Sequence, residues 1–301
     1  MTAIDPRITV GVDGSAGSTA AVAWAAKIAS LRHLELRIVH GLQLSGLYYG
    51  GGLPGAGAEA LFDALVADGE KIVADARAVA ASIDENLVVT SGLPNEPPVP
   101  MLLEESRHAR MLVVGRTGAG GFTGMLIGGT AATVAAHAHC PVAVVRGREG
   151  ATVVPGSGPV VVGVDGSANS EQALAVAFEE ASLRGAPLAA LHAWNDVTYE
   201  DTRGTARILT QPDTLVADAE RLLGQRLAGW QEKYPDVEVR RVLVQGRPRH
   251  ALLDAAAEAQ LVVVGSRGRG GFTGMLLGST SQALVQHAAC PVLVVRPERK
   301  G

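Results

Sequence analysis

The stretch VGVDGSAGS (Val10–Ser18) returns as VGVDGSANS (Val162–Ser170), 152 positions later. In both places a short β-branched run ends in an Asp-Gly-Ser turn that leads into an alanine-rich, helix-like segment. Two more pairs keep nearly the same offset, each 150 apart. MLVVG (Met111–Gly115) matches LVVVG (Leu261–Gly265), and HCPVAVVR (His139–Arg146) matches ACPVLVVR (Ala289–Arg296). A period this long exceeds that of solenoid repeats and marks a duplicated domain. The Gly- and Pro-rich string between the copies reads as a linker, so the expected units are 1–147 and 159–301, joined by 148–158.

Within the first copy, residues 8–12, 35–40, 87–90, 111–115 and 142–146 read as strands. Their apolarity is continuous rather than alternating, which predicts strands buried on both faces. Residues 18–31, 59–82, 99–108 and 129–139 read as helices, the first with an apolar stripe of Ala21, Trp24, Ala25, Ile28 and Ala29 and with Ser18 as N-cap. The second copy repeats this order, with its long helix at 213–233. Strand-helix alternation with short links predicts two tandem α/β domains, each a doubly wound, Rossmann-like parallel sheet with helices on both faces. Ligands of such sheets sit beyond the carboxyl ends of the strands, and the unusual residues here follow strand ends.

Composition narrows the function. A net charge of −4 argues against a nucleic-acid binder driven by overall electrostatics. Two isolated cysteines, Cys140 and Cys290, make neither a disulfide framework nor a zinc site and suit a reducing compartment. The start MTAIDPRITV carries no signal-peptide pattern, and the charge-free tract Gly41–Ala58 is too rich in Gly, with Pro54, for a membrane span. A cytoplasmic protein is the expectation.

The second signature is a glycine string after the fourth strand of each copy: VVGRTGAGGFTGMLIGGT (Val113–Thr130) and VVGSRGRGGFTGMLLGST (Val263–Thr280). The spacing is Gly115, Gly118, Gly128 in one and Gly265, Gly268, Gly278 in the other, with Gly120, Gly121, Gly270 and Gly271 between. Glycine removes the Cβ that keeps a bulky anion from the backbone. The chain then enters a helix, whose first N–H groups lack intrahelical partners and suit phosphate oxygens. Arg267 and Arg269 offer charge in the second copy, while the first has only Arg116. The competing reading is a glycine-rich surface loop that binds nothing. No Gly-x-x-x-x-Gly-Lys-Ser/Thr occurs, and no G-x-G-x-x-G follows the first strand. In that place stand Asp13 and Asp165, suited either to a ribose hydroxyl or adenine edge, or to an Asx-turn that closes the strand.

No catalytic set emerges. Ser15 and Ser167 are not in a G-x-S-x-G context. His40 and His192 end the second strands and read as packed, hydrogen-bonded histidines. HAHC (His137–Cys140) has no complementary ligand pair, so no metal site is expected, and the two cysteines read as inert buried thiols. GRPRH (Gly246–His250) reads as a solvated basic helix entrance.

Taken together, the VGVDGS strand ends, the Gly-x2-Gly-x9-Gly-Ser/Thr strings and the closing CPV strands resemble the universal stress proteins of the tandem type, over nearly the whole chain. That resemblance implies five strands per sheet and bound ATP, with or without Mg, in members carrying the string. It places one site at Gly11, Asp13, Gly115, Gly118, Gly128 and Thr130, and the other at Gly163, Asp165, Gly265, Gly268, Gly278, Ser279 and Thr280. The adenine contact falls at Gly41 and Ala193, with Asp196 close by. It also implies that the last strands of the two copies pair as an internal pseudo-dimer, with further association into a homodimer and an unidentified protein partner. Gly129 departs from the Ser or Thr of the pattern, which predicts weaker binding in the first copy. The leading expectation is an ATP-binding regulatory protein of stress or growth control, not an enzyme. The alternatives are an adenine-nucleotide hydrolase or transferase on the same fold, and an assembly protein with vestigial pockets.

Overall fold

A computed structural model of the chain describes residues 7–42, 56–118, 128–146, 156–194, 212–268 and 276–296. The first half runs β1 (Arg7–Gly11), α1 (Ala16–Arg32), β2 (Glu35–Val39), α2 (Ala56–Ile83), β3 (Val89–Gly92), α3 (Pro98–Glu105), β4 (Met111–Gly115), α4 (Gly129–His137) and β5 (Val142–Val145). The second repeats it as β6 (Val160–Gly163), α5 (Ala168–Arg184), β7 (Leu188–Trp194), α6 (Pro212–Lys233), β8 (Val239–Gln245), α7 (Pro248–Ala255), β9 (Leu261–Gly265), α8 (Ser279–His287) and β10 (Val292–Val295).

All ten strands form one sheet in the order β3-β2-β1-β4-β5-β10-β9-β6-β7-β8. Pairing is parallel within each half, and the halves meet where β5 and β10 run antiparallel, Leu293 opposite Ala143. The apolar closing strands thereby cover each other's edge, which removes two unpaired rows of backbone groups.

Alternate residues of the inner strands enter opposite cores, which is why their apolar runs are unbroken. In β4, Met111 and Val113 pack with α1, α2, α5 and α6 residues such as Ile28, Ala80, Phe178 and Leu223. Leu112 and Val114 face the other way, onto Met101, Val134, Leu252 and Leu284 of α3, α4, α7 and α8. Both cores run through both halves. Each fully buried Val or Leu contributes roughly 1.5–3 kcal/mol.

Helix α1 starts earlier than the apolar stripe suggests. Ser15, not Ser18, is the N-cap: its Oγ accepts the Ser18 N–H at 3.1 Å, and Ser18 Oγ donates back to the Ser15 carbonyl at 2.9 Å. Ser167 does the same for α5. The helices end on left-handed residues, His33 (φ 52°) and Gly185 (φ 57°).

The two halves are also clasped by charge. Glu180, fully buried on α5, accepts Arg32 of α1 on one oxygen at 2.5 Å and Arg184 on the other at 2.8 Å. Arg32 and Arg110 of the first half reach the neighbouring Glu179 as well, and Arg184 lies over the Trp24 ring at 5.5 Å.

Candidate functional site

Strand order reverses between β1 and β4, where the crossovers depart to opposite faces and leave a crevice at the carboxyl ends. A cavity of about 410 Å³ opens there, and the equivalent place in the second half holds one of about 480 Å³. The first is lined by Gly11, Asp13, Gly41, Gly115, Gly118, Gly128, Gly129 and Thr130. The second is lined by Gly163, Asp165, Ala193, Gly265, Arg267, Gly268, Gly278, Ser279 and Thr280. Gly120, Gly121, Asp196, Arg269, Gly270 and Gly271 lie outside the described residues.

The turn after β1 joins the two polar loops. Asp13 Oδ1 accepts the N–H of Ser15 at 3.1 Å and its hydroxyl at 2.6 Å, an Asx-turn that holds the helix cap in place. Its other oxygen points at the glycine string: a Cβ on Gly118 would sit 2.4 Å from Asp13 Oδ2, and Gly268 stands in the same relation to Asp165. Each acid therefore closes a turn and lines the cavity at once. A Cβ on Gly115 would lie 2.6 Å from the Gly17 carbonyl carbon, so that glycine lets the end of β4 pack on the first turn of α1. Gly118 and Gly115 are required by the protein's own packing.

The end of the string behaves differently. The Gly128 amide is turned inward, donating to the Arg116 carbonyl at 2.8 Å, and Gly278 donates likewise to Ser266. Closing the loop uses these two amides, so the first-turn amides expected to meet an anion begin one residue later. The first ladder bonds of α4 and α8 are Ala132 N–H to Gly128 O at 3.2 Å and Gln282 N–H to Gly278 O at 2.9 Å. The amides of residues 129–131 and 279–281 precede those bonds, and neither helix has a side-chain cap. Gly129, Thr130 and Ala131 line one cavity, and Ser279, Thr280 and Ser281 the other. A Cβ on Gly129 would meet nothing within 4 Å, so the helix start faces open space. First-turn N–H groups at the positive end of a helix dipole, without intrahelical partners, suit an anion.

Arg116 does not join them. Its Nη1 donates to the Gln286 carbonyl at 2.5 Å, capping the last turn of α8 in the other half. Burial, with Arg146 nearby, lowers its pKa, and its Nε is buried without a hydrogen-bond partner. Residue 116 carries its side chain away from the cavity because the opposite helix end offers unpaired carbonyls.

His40 lines the first cavity, but its Nδ1 lies 2.7 Å from the Val12 carbonyl, as does that of His192 from Val164 at 2.6 Å. A carbonyl only accepts, so Nδ1 carries the proton and the rings brace β2 and β7 against the strand ends. Burial pushes the Cys140 and Cys290 thiols up to about 12, too high for a thiolate. Among the described residues no three His, Cys, Asp or Glu side chains cluster as a metal site, and no helix is long and apolar enough to cross a membrane. Sequence reasoning missed Pro98 and Leu102, and Pro248 and Leu252, as wall residues. Their recurrence at an offset of 150 was the available signal.

Two parallel α/β halves, each with a glycine-lined cavity at its strand reversal, define a tandem, doubly wound α/β protein. Comparison with known proteins sharpens this. The sequence profile of the Universal stress protein family matches residues 6–146 and again 157–296. The chain belongs to that family, as a tandem member. It is 43% identical over 292 residues to Universal stress protein Rv2005c of Mycobacterium tuberculosis, covering 96% of each. With Universal stress protein Rv2623 of the same organism it shares 40% over 295 residues, again 96% of each. In fold it is similar to the crystal structure of a universal stress protein from Archaeoglobus fulgidus, with a TM-score of 0.69 at 19% identity over 96% of this chain and 98% of that one.

Proposed function

We propose that each cavity binds an adenine nucleotide, ATP with or without Mg, and that occupancy governs a regulatory role in stress response or growth control. One observation carries the reading: the uncapped first turns of α4 and α8 open into cavities that Asp13 and Asp165 also line. The helix start suits the phosphates, while the carboxylate repels them and suits the nucleoside end. Cavities of about 410 and 480 Å³ are within the range of small-molecule sites, about 300–1,000 Å³. At residue 129 the Cβ direction is open, and at 279 the side chain is a hydroxyl, so both leave room and polarity for a phosphate.

The proposed role is binding rather than turnover, since Asp13 and Asp165 each spend one carboxylate oxygen on the turn that leads into the following helix. The same reading places the protein in the cytoplasm and includes association of two chains and a protein partner. Since β5 and β10 already pair within the chain, a second chain must use another surface. The test is to denature the purified protein and chromatograph what is released. ATP supports the regulator. ADP with phosphate supports turnover, and a protein that neither releases nor takes up nucleotide refutes the proposal.

A further inference from the structure

The two cavities share a shape but not a charge. Among the described lining residues of the first, Asp13 is the one Asp, Glu, Lys or Arg. The arginine its glycine string supplies, Arg116, is spent on the Gln286 carbonyl of the opposite half. By sequence, the stretch 119–127 adds no charged residue. The second cavity has Asp165 and also Arg267, which is exposed and stands where the first has Thr117. The asymmetry extends to the rim. Pro248 lines the second cavity between the exposed Arg247 and Arg249, whereas Pro98 lines the first between Pro97 and Val99. Ser279 adds a hydroxyl where Gly129 has none.

An anion's affinity rises with its charge only where cationic or strongly polar groups compensate its desolvation. We propose that the two sites sort adenine nucleotides by phosphate charge. The second cavity selects the triphosphate through Arg267, and the first is nearly indifferent to phosphate number and takes adenine nucleotides of low charge, down to the monophosphate. This rests on the reading that both cavities take adenine nucleotides. On that basis the protein responds to the ratio of nucleotides, not to ATP alone. The first site accepts the form that accumulates when the triphosphate is consumed.

The test is calorimetric titration of the full chain with ATP, ADP and AMP, without divalent cation so that phosphate charge is unmasked. Two variants isolate the sites. Gly129→Glu and Ser279→Glu each place a carboxylate at one helix start, where the anion belongs, and thermal melting confirms that each remains folded. In Gly129→Glu, where the second cavity reports, ATP should bind about ten- to a hundred-fold tighter than AMP, the span of one hydrogen bond to a charged group. Added salt should weaken ATP far more than AMP. Arg267→Thr in that background should bring ATP down to the affinity of AMP. In Ser279→Glu, where the first cavity reports, the three nucleotides should bind alike. Equal discrimination by both cavities, or discrimination that survives Arg267→Thr, overturns the sorting while leaving nucleotide binding intact. No binding of any nucleotide to the unsubstituted chain overturns the underlying reading, and the sorting with it.

Discussion

Gly129→Ser offers a gain of function by one atom pair. Residue 129 is the first residue of α4 and sits on the wall of the first cavity. Its backbone is compatible with any L-residue, and a Cβ there meets nothing within 4 Å, so the substitution introduces no strain. The second half has Ser279 at this position, on a helix of the same length and with the same Gly N-cap. The expected gain is one hydrogen bond from a hydroxyl to a charged phosphate, about 1.5–3 kcal/mol, or roughly one to two decades in Kd. Helix propensity adds at most a few tenths of a kcal/mol, because Gly is the poorer residue at a helix start interior. The two effects separate cleanly. Melting without nucleotide should barely move, while calorimetric titration with ATP in a Ser279→Glu background should show the tighter constant. An unchanged Kd in a folded Gly129→Ser protein refutes the argument that the hydroxyl reaches the phosphate.

Glu180→Ala leaves Arg32 and Arg184 buried without their shared carboxylate and should cost about 3–5 kcal/mol in denaturant unfolding. Gly115→Ala pushes a Cβ onto the Gly17 backbone and should lower the melting temperature whether or not nucleotide is present. A defect confined to nucleotide binding would contradict that packing role. Burial opposes the charge of Glu179, yet Arg32 and Arg110 outweigh it and hold its pKa below the ordinary value. Its contribution is therefore present above about pH 4.3 and lost as pH falls through the lower folded value, so the stability gap between the natural protein and Glu179→Gln should narrow in acid unfolding curves. Cys140 and Cys290, with pKa pushed up to about 12, should resist thiol reagents in the native state and react only on unfolding.

Much of this architecture was legible because it is periodic. The unbroken valines of β4 and β9 announce strands covered on both faces, and the 150–152 residue echo announces the tandem. The cavity was legible as residue types but not as roles. Gly115 and Gly118 line the cavity, and the fold also uses them to let β4 meet α1 and to admit Asp13. Nothing local distinguishes a glycine cleared for a phosphate from one cleared for a neighbouring loop. The apolar stripe points to Ser18 as the cap of α1, whereas Ser15 holds the Ser18 amide, and the stripe carries no mark of the extra turn. The position of Arg116 is set at longer range. Its partner, the Gln286 carbonyl, is 170 residues away and is brought near only by the β5–β10 joint.

The central claim is that phosphates dock on the open amides at the starts of α4 and α8. Backbone amide NMR of the isotope-labelled full chain tests it residue by residue. Addition of ATP should move the resonances of Gly129, Thr130 and Ala131, and of Ser279, Thr280 and Ser281, while adenosine at matched occupancy should leave them nearly still and move those near Asp13 and Asp165. If ATP leaves those six amides unmoved, or adenosine shifts them equally, the phosphates are held elsewhere and the account is wrong.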